Sequence, residues 1–166
     1  MTGALRVGTG MDNSPSSKSA LQWAVDNLNF VDGNDQIIAL YVLSPKLDPP
    51  QKRLWEDTGS PLIPLDEFRE INVSKQYGIT PDPEVLDILD TVHRTKGVTV
   101  VFKIYWGDPR DKLCDAVDDL KLDSLVVGSR GLGVLKRVLL GSVSNHVVAN
   151  ATCPVTVVKG AAMSKP

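Results

Sequence analysis

Two groups of residues in this chain have types and spacing suited to chemistry, and both suit the binding of a phosphorylated ligand. The first is the run from Gly128 to Ser144, in which Gly128-x2-Gly131 is followed after nine residues by Gly141-Ser142-Val143-Ser144. Glycines let backbone N–H groups come close to an anion, and a helix N-terminus adds free N–H donors and a favourable dipole. The hydroxyls of Ser142 and Ser144 add donors, and Arg130, Lys136 and Arg137 supply positive charge beside the loop. The second group is Met11-Asp12-Asn13-Ser14-Pro15. There the Asp12 carboxylate is able to accept hydrogen bonds from a ribose or a base amino group, or to cap the helix that follows. The residues offer little to a catalyst. The chain has no G-x-x-x-x-G-K-[ST] loop. His93 and His146 stand far apart without metal-ligand spacing, and no Ser-His-Asp or Cys-His set is assignable.

These groups need elements to position them. Asp123 to Val127 is a short β-branched apolar run that reads as a buried strand ahead of Gly128. Ser142 or Ser144 is expected to N-cap a helix over Val143 to Asn150. Leu5 to Met11 is a first strand, and the stripe Ala20, Leu21, Ala24, Val25, Leu28 predicts a helix from about Ser16. Gln36 to Leu43 is a second strand, apolar enough for a parallel sheet covered on both faces. Ser44 to Pro83 breaks the rhythm with seven of the eleven prolines. It is expected to be a surface excursion with a helical turn at Asp66 to Ile71, pinned to the body or to a partner by Trp55, Leu62, Ile63 and Phe68. A helix over Asp82 to Lys96 ending at Gly97, a strand over Val98 to Tyr105, and a helix opened by Asp108 and Pro109 follow. Pro154 to Lys159 is a closing strand, and residues 161–166 are expected to form a mobile tail to one domain over residues 1–160. The alternation predicts an α/β fold, a three-layer open parallel sheet with helices on both faces. In such sheets ligands bind beyond the carboxyl ends of the strands, where strand order reverses, so the Met11-Asp12 turn should face the Gly128 loop.

Composition excludes several functions. With 166 residues, 42% of them hydrophobic, the chain is long enough for a full core. A net charge of −2 gives no electrostatic basis for non-specific binding to nucleic acid or anionic membranes. No apolar stretch approaches the ~20 residues that span a bilayer, and Met1-Thr2-Gly3-Ala4 lacks the start of a signal peptide. Cys114 and Cys153 read as reduced thiols, which points to a cytoplasmic location and leaves nuclear entry open.

From Arg6 to Lys159 the sequence resembles the universal stress protein family, in particular its nucleotide-binding branch and its small single-domain plant members. The glycine motif carries the resemblance, together with Gly107-Asp108-Pro109 and the ending Pro154-Val155-Thr156-Val157-Val158. It implies a Rossmann-like (adenine nucleotide alpha hydrolase-like) sheet of five parallel strands in the order 3-2-1-4-5, binding ATP or AMP with or without Mg. On that resemblance Met11 and Asp12 contact adenosine, and Val42 offers backbone groups to adenine. Val127, Gly128, Arg130 and Gly131 then flank the ribose and phosphates, while Gly141, Ser142, Val143 and Ser144 hold the phosphates. Related proteins dimerise through the last strand, which implies a homodimer through Val155, Thr156, Val157 and Val158, a strand too apolar for a long exposed edge. The implied function is a stress-response regulator or sensor that responds to adenine nucleotide. The alternatives are a chaperone-like module using the proline-rich insert and a slow ATP hydrolase or phosphotransferase.

Overall fold

The computed structural model describes residues 4–31, 33–129 and 141–159. In chain order the elements are β1 (Arg6–Met11), α1 (Pro15–Asn27), β2 (Gln36–Leu43), α2 (Lys52–Trp55), β3 (Ile63–Pro64), α3 (Leu65–Phe68) and α4 (Ile71–Tyr77). They continue with α5 (Pro83–Lys96), β4 (Thr99–Trp106), α6 (Pro109–Leu120), β5 (Ser124–Gly128), α7 (Ser142–Asn150) and β6 (Val155–Val158). The sheet runs β3-β4-β2-β1-β5-β6. All pairings are parallel except β3 with β4. The five expected strands therefore stand in the expected order. Among the described residues the count of five is corrected to six, because the insert adds a two-residue antiparallel strand at the edge.

Side chains of the central strands alternate between two cores. Val7, Met11, Ile37, Ala39, Tyr41, Phe102 and Val126 face α1 and α5, whereas Ile38, Leu40, Val101, Leu125 and Val127 face α6 and α7. Burial on both faces explains why β2 is apolar almost throughout. The helix starts follow capping chemistry. Ser14 caps α1 by accepting from the Ser17 N–H at 3.1 Å, Asp82 caps α5, and Asp108 caps α6, each with proline in the first turn. Gly97 closes α5 at φ 72°.

The proline-rich insert is more ordered than a surface excursion. The helical turn expected at Asp66 to Ile71 overlaps α3, and α2, α4 and β3 come in addition. Phe68 is 1% exposed and Ile63 is buried, and Trp55 packs on the same core, so these residues hold the insert to the body of the chain. Leu62 packs against the opposite core. Buried Ser60 extends the edge pairing, its N–H donating to the Ile104 carbonyl at 2.8 Å and its Oγ accepting from the Ile104 N–H at 2.9 Å. Across the outer face, Asp90 of α5 is held between Arg69 at 2.8 Å and Arg94 at 3.0 Å.

Candidate functional site

The site develops from the way two neighbouring strands separate. β1 and β5 are paired only at Val7–Ser124, Gly8–Leu125 and Thr9–Val126. Beyond that point β1 continues along β2 to Met11–Tyr41, and β5 continues along β6 to Gly128–Val158. This is the place where strand order reverses, and a parallel α/β sheet opens there at its carboxyl rim. The first turn of α1 packs against β5 at the split. A Cβ on Gly128 would lie 2.7 Å from the Ser16 carbonyl oxygen, closer than real carbon atoms approach. The glycine at 128 is thus required by helix packing, a role distinct from the close anion approach expected of it.

On the β2 side of β1, against the end of the insert, lies a cleft of about 170 Å³. Met11, Asp12 and Val42 line it, so three of the expected site residues come together at the ends of β1 and β2. A smaller hollow under them is lined by Gly10, Leu40, Pro109 and Leu113, which brings the start of α6 to the same rim. Asp12 is exposed at the turn. It is not the cap of α1, a role that Ser14 fills; instead one Asp12 carboxylate oxygen accepts from the Ser14 N–H at 3.0 Å. That bond fixes the carboxylate, whose second oxygen, an acceptor when ionised, is matched only by a hydrogen-bond donor. The Asp12 N–H donates to Ser17 Oγ at 3.3 Å.

Val127 is fully buried and Gly128 stands at the β5 end. Ser129 is buried, and its N–H donates to the Val158 carbonyl at 3.0 Å. Neither Ser142 nor Ser144 is the N-cap of α7. Gly141 occupies that position at φ 64° and ψ 128°, a backbone that favours glycine over residues with a Cβ. Ser142 is the first helical residue and exposed, while Ser144 is buried and donates its hydroxyl to the Gly141 carbonyl at 3.2 Å. The first intrahelical bond runs from the Asn145 N–H to the Gly141 carbonyl. In an α-helix the first N–H groups have no partner within the helix, so those of Ser142 and Val143 are donors that this end presents. Arg130, Gly131, Lys136, Arg137 and the expected tail lie outside the described residues.

Sequence reasoning missed the other side of the cleft. Asn13, Tyr41 and Leu43 line it, as do Gly78, Ile79 and Thr80 from the end of the insert. The one signal that was present is the Asp12-Asn13-Ser14 turn, because asparagine tolerates the left-handed backbone. Asn13 has φ 62° and accepts from the Tyr41 hydroxyl at 2.7 Å. Burial, with the charges of Asp82 and Asp12 added to it, pushes the Tyr41 pKa well up and keeps its hydroxyl a donor. At the α6 start, a hydrogen-bonded Arg110 holds the Asp108 carboxyl below the usual carboxylate range. Among the described residues, no group of three or more His, Cys, Asp and Glu side chains is arranged to hold a metal ion. No described helix is long and apolar enough to cross a membrane.

Known proteins share this arrangement. A sequence model of the universal stress protein family matches residues 4–159. A universal stress protein A-like protein of Arabidopsis thaliana is 32% identical over 155 residues, covering 92% of this chain and 83% of its own. Two longer universal stress proteins of the same plant are 29% and 30% identical, and the chain spans 64% and 61% of their length. Among solved structures, an Arabidopsis thaliana universal stress protein family member with AMP bound aligns with a TM-score of 0.58 at 24% identity, covering 98% of this chain and 95% of that one. A universal stress protein in complex with cAMP aligns with a TM-score of 0.55 at 21% identity, covering 96% of this chain and all of the other (100%). With the family's sequence pattern running across nearly every element of a sheet that has the same fold as these solved structures, the chain belongs to the universal stress protein family.

Proposed function

We propose that this protein binds an adenine nucleotide, ATP or AMP, at the carboxyl rim of β1, β2 and β5, and that binding regulates its conformation or assembly. The observation that carries the reading is the cleft shared by Met11, Asp12 and Val42 on the β2 side of β1. The residues suit the ligand. Asp12 keeps a carboxylate oxygen for a ribose hydroxyl or base amino group, and Val42, one residue before the end of β2, would offer its backbone groups to the base. The α7 start, with Gly141 at φ 64° and the N–H groups of Ser142 and Val143, suits phosphate oxygens. Val127 and Gly128, at the end of β5, are proposed to flank them. The AMP and cAMP complexes of solved family members support the class of ligand.

Calorimetric titration with ATP and AMP, with and without magnesium, tests the reading. Gly131→Val and Gly141→Val should each abolish or strongly weaken binding in protein that remains folded. Wild-type affinity in both folded variants would overturn the phosphate cradle. A turnover assay with magnesium tests the hydrolase alternative, which rapid phosphate release lost in Gly141→Val would favour.

A second reading concerns assembly. β6 ends the sheet, and Val155, Thr156, Val157 and Val158 are all only half-buried. An apolar strand at a sheet end offers its free edge to another chain, and we propose a homodimer through it. Light scattering at micromolar concentration should give the dimer mass, and a monomer would reject this pairing. The chaperone alternative draws on the insert, where Leu54 is 68% and Ile71 67% exposed. Protection of an aggregating client by nucleotide-free protein would favour it.

A further inference from the structure

The insert ends against the candidate nucleotide cleft, and one side chain fastens it there. Asn13 carries a left-handed backbone, φ 62°, at the turn between β1 and α1. Such a conformation is costly for most residues with a Cβ, least so for asparagine, and is retained where surrounding contacts fix it. Here both ends of the side-chain amide are engaged. The amide nitrogen donates to the Thr80 carbonyl at 3.1 Å, and the amide oxygen accepts from the Tyr41 hydroxyl at 2.7 Å. A carbonyl only accepts, so the nitrogen must face Thr80 and the oxygen is left for the phenol. One residue of the β1 turn therefore ties the last residues of the insert to β2.

The segment it holds has firm ends. Upstream, Gly78 closes α4 in the left-handed region at φ 78°, and the N–H groups of Gly78 and Ile79 both donate to the Ser74 carbonyl. Ile79 is buried. Downstream, Asp82 caps α5 and pairs with Lys18 of α1 at 2.9 Å. Between these anchors, Thr80 is exposed and bonded to Asn13. Gly78, Ile79 and Thr80 line the same cleft as Met11, Asp12 and Val42.

We infer that Asn13 is a positioning residue for the base end of the nucleotide: by holding Thr80 it sets the width of the cleft, so that insert residues 78–80 form a wall for the base. This inference rests on the nucleotide-binding reading above and deepens it. Between the two anchored ends of this segment, the bond to Asn13 is the side-chain tie at Thr80. Phosphate contacts at the α7 start do not pass through Asn13, so the base end and the phosphate end should respond separately.

The test compares AMP with inorganic tripolyphosphate by calorimetry, and reads hydrogen exchange at residues 79–82 without ligand. Asn13→Gly keeps the backbone conformation and removes both bonds. It should weaken AMP binding roughly five- to tenfold, the size of a modest hydrogen bond, and leave tripolyphosphate affinity unchanged. Exchange at residues 79–82 should quicken. Asn13→Asp keeps an acceptor for Tyr41 but sets a carboxylate against the Thr80 carbonyl. It should produce the same selective loss, and stands in if the glycine variant does not fold. Tyr41→Phe, which leaves the Asn13–Thr80 bond, should have the smaller effect. Faster exchange with unchanged AMP affinity would overturn the inference while leaving nucleotide binding intact. Equal losses for AMP and tripolyphosphate would overturn it too, as a general structural effect. A wild-type protein that binds neither ligand would sink the nucleotide reading itself, and the base wall with it.

Discussion

The ring of Phe68, in the insert, lies flat against that of Phe102 in β4, with centroids 3.7 Å apart and planes within 2°. Both rings also neighbour Tyr41, at 6.3 Å, so a residue of the insert, one of β4 and one of β2 form a single aromatic cluster. This contact makes the proline-rich segment part of the core. It also links the segment to Tyr41, whose hydroxyl reaches the turn beside the cleft.

Removing that ring should therefore do two things. Phe68→Ala leaves a cavity in a site that is 1% exposed, and aromatic-to-alanine changes in cores cost about 3–5 kcal/mol. Denaturant unfolding should report that loss. Limited proteolysis should show new cleavage between residues 44 and 83 before the rest of the chain is cut, because the insert loses its anchor.

Gly128 and Gly97 separate two reasons for glycine. At Gly128 an added Cβ meets the Ser16 backbone, which is fixed in the first turn of α1. Gly128→Ala should cost about 3 kcal/mol or more, the upper end for overpacking, because the clash is with backbone. At Gly97 nothing lies within 4 Å of the added carbon, but φ is 72°. Gly97→Ala should cost only about 1–2 kcal/mol, from the left-handed backbone alone. Paired chemical denaturation curves check the ranking, and equal costs would contradict the close packing of α1 on β5.

The Lys18–Asp82 pair predicts a pH dependence. The Lys18 hydrogen bond, at 2.9 Å, leads the causes that hold the Asp82 carboxyl below its ordinary range. A lowered carboxyl pKa adds stability that is complete above the unfolded value and is lost as pH falls through the lowered one. Lys18, bonded to Glu84 at 2.8 Å and to Asp82, is raised instead, so its share is complete below the ordinary lysine pKa and is lost only as pH rises past the raised value. Wild type and Asp82→Asn should thus differ most from mildly acidic to mildly alkaline pH, and converge in strong acid. Thermal unfolding across pH checks this. The gap should also narrow with salt, since the pair is partly exposed.

Much of the fold was legible along the chain. The period of apolar residues marked each parallel strand and long helix. The Asp108-Pro109 and Asp82-Pro83 pairs marked helix starts, because capping and proline geometry act within a few residues. The local pattern put the Met11-Asp12 turn at a strand end, the family resemblance added Val42, and the three do share a cleft. At the α7 start the pattern misled. Serine is a good N-cap, yet Gly141 takes that position with a positive φ, and Ser144 turns its hydroxyl back to the glycine carbonyl.

By itself, then, the amino-acid order determined which segments outside the insert are helix and which are strand, and the kind of sheet that their alternation builds. Those outcomes follow from backbone preferences and hydrophobic period, which are properties of neighbours. Only the tertiary structure decided that the insert supplies an edge strand through Ser60 and Ile63, that Gly128 makes room for α1, and that Asn13 ties Thr80 to Tyr41. These contacts join residues 44, 67 and 28 positions apart at Ile104–Ser60, Asn13–Thr80 and Tyr41–Asn13. No local periodicity encodes such pairings; they exist because packing two cores around one twisted sheet brings these segments into reach.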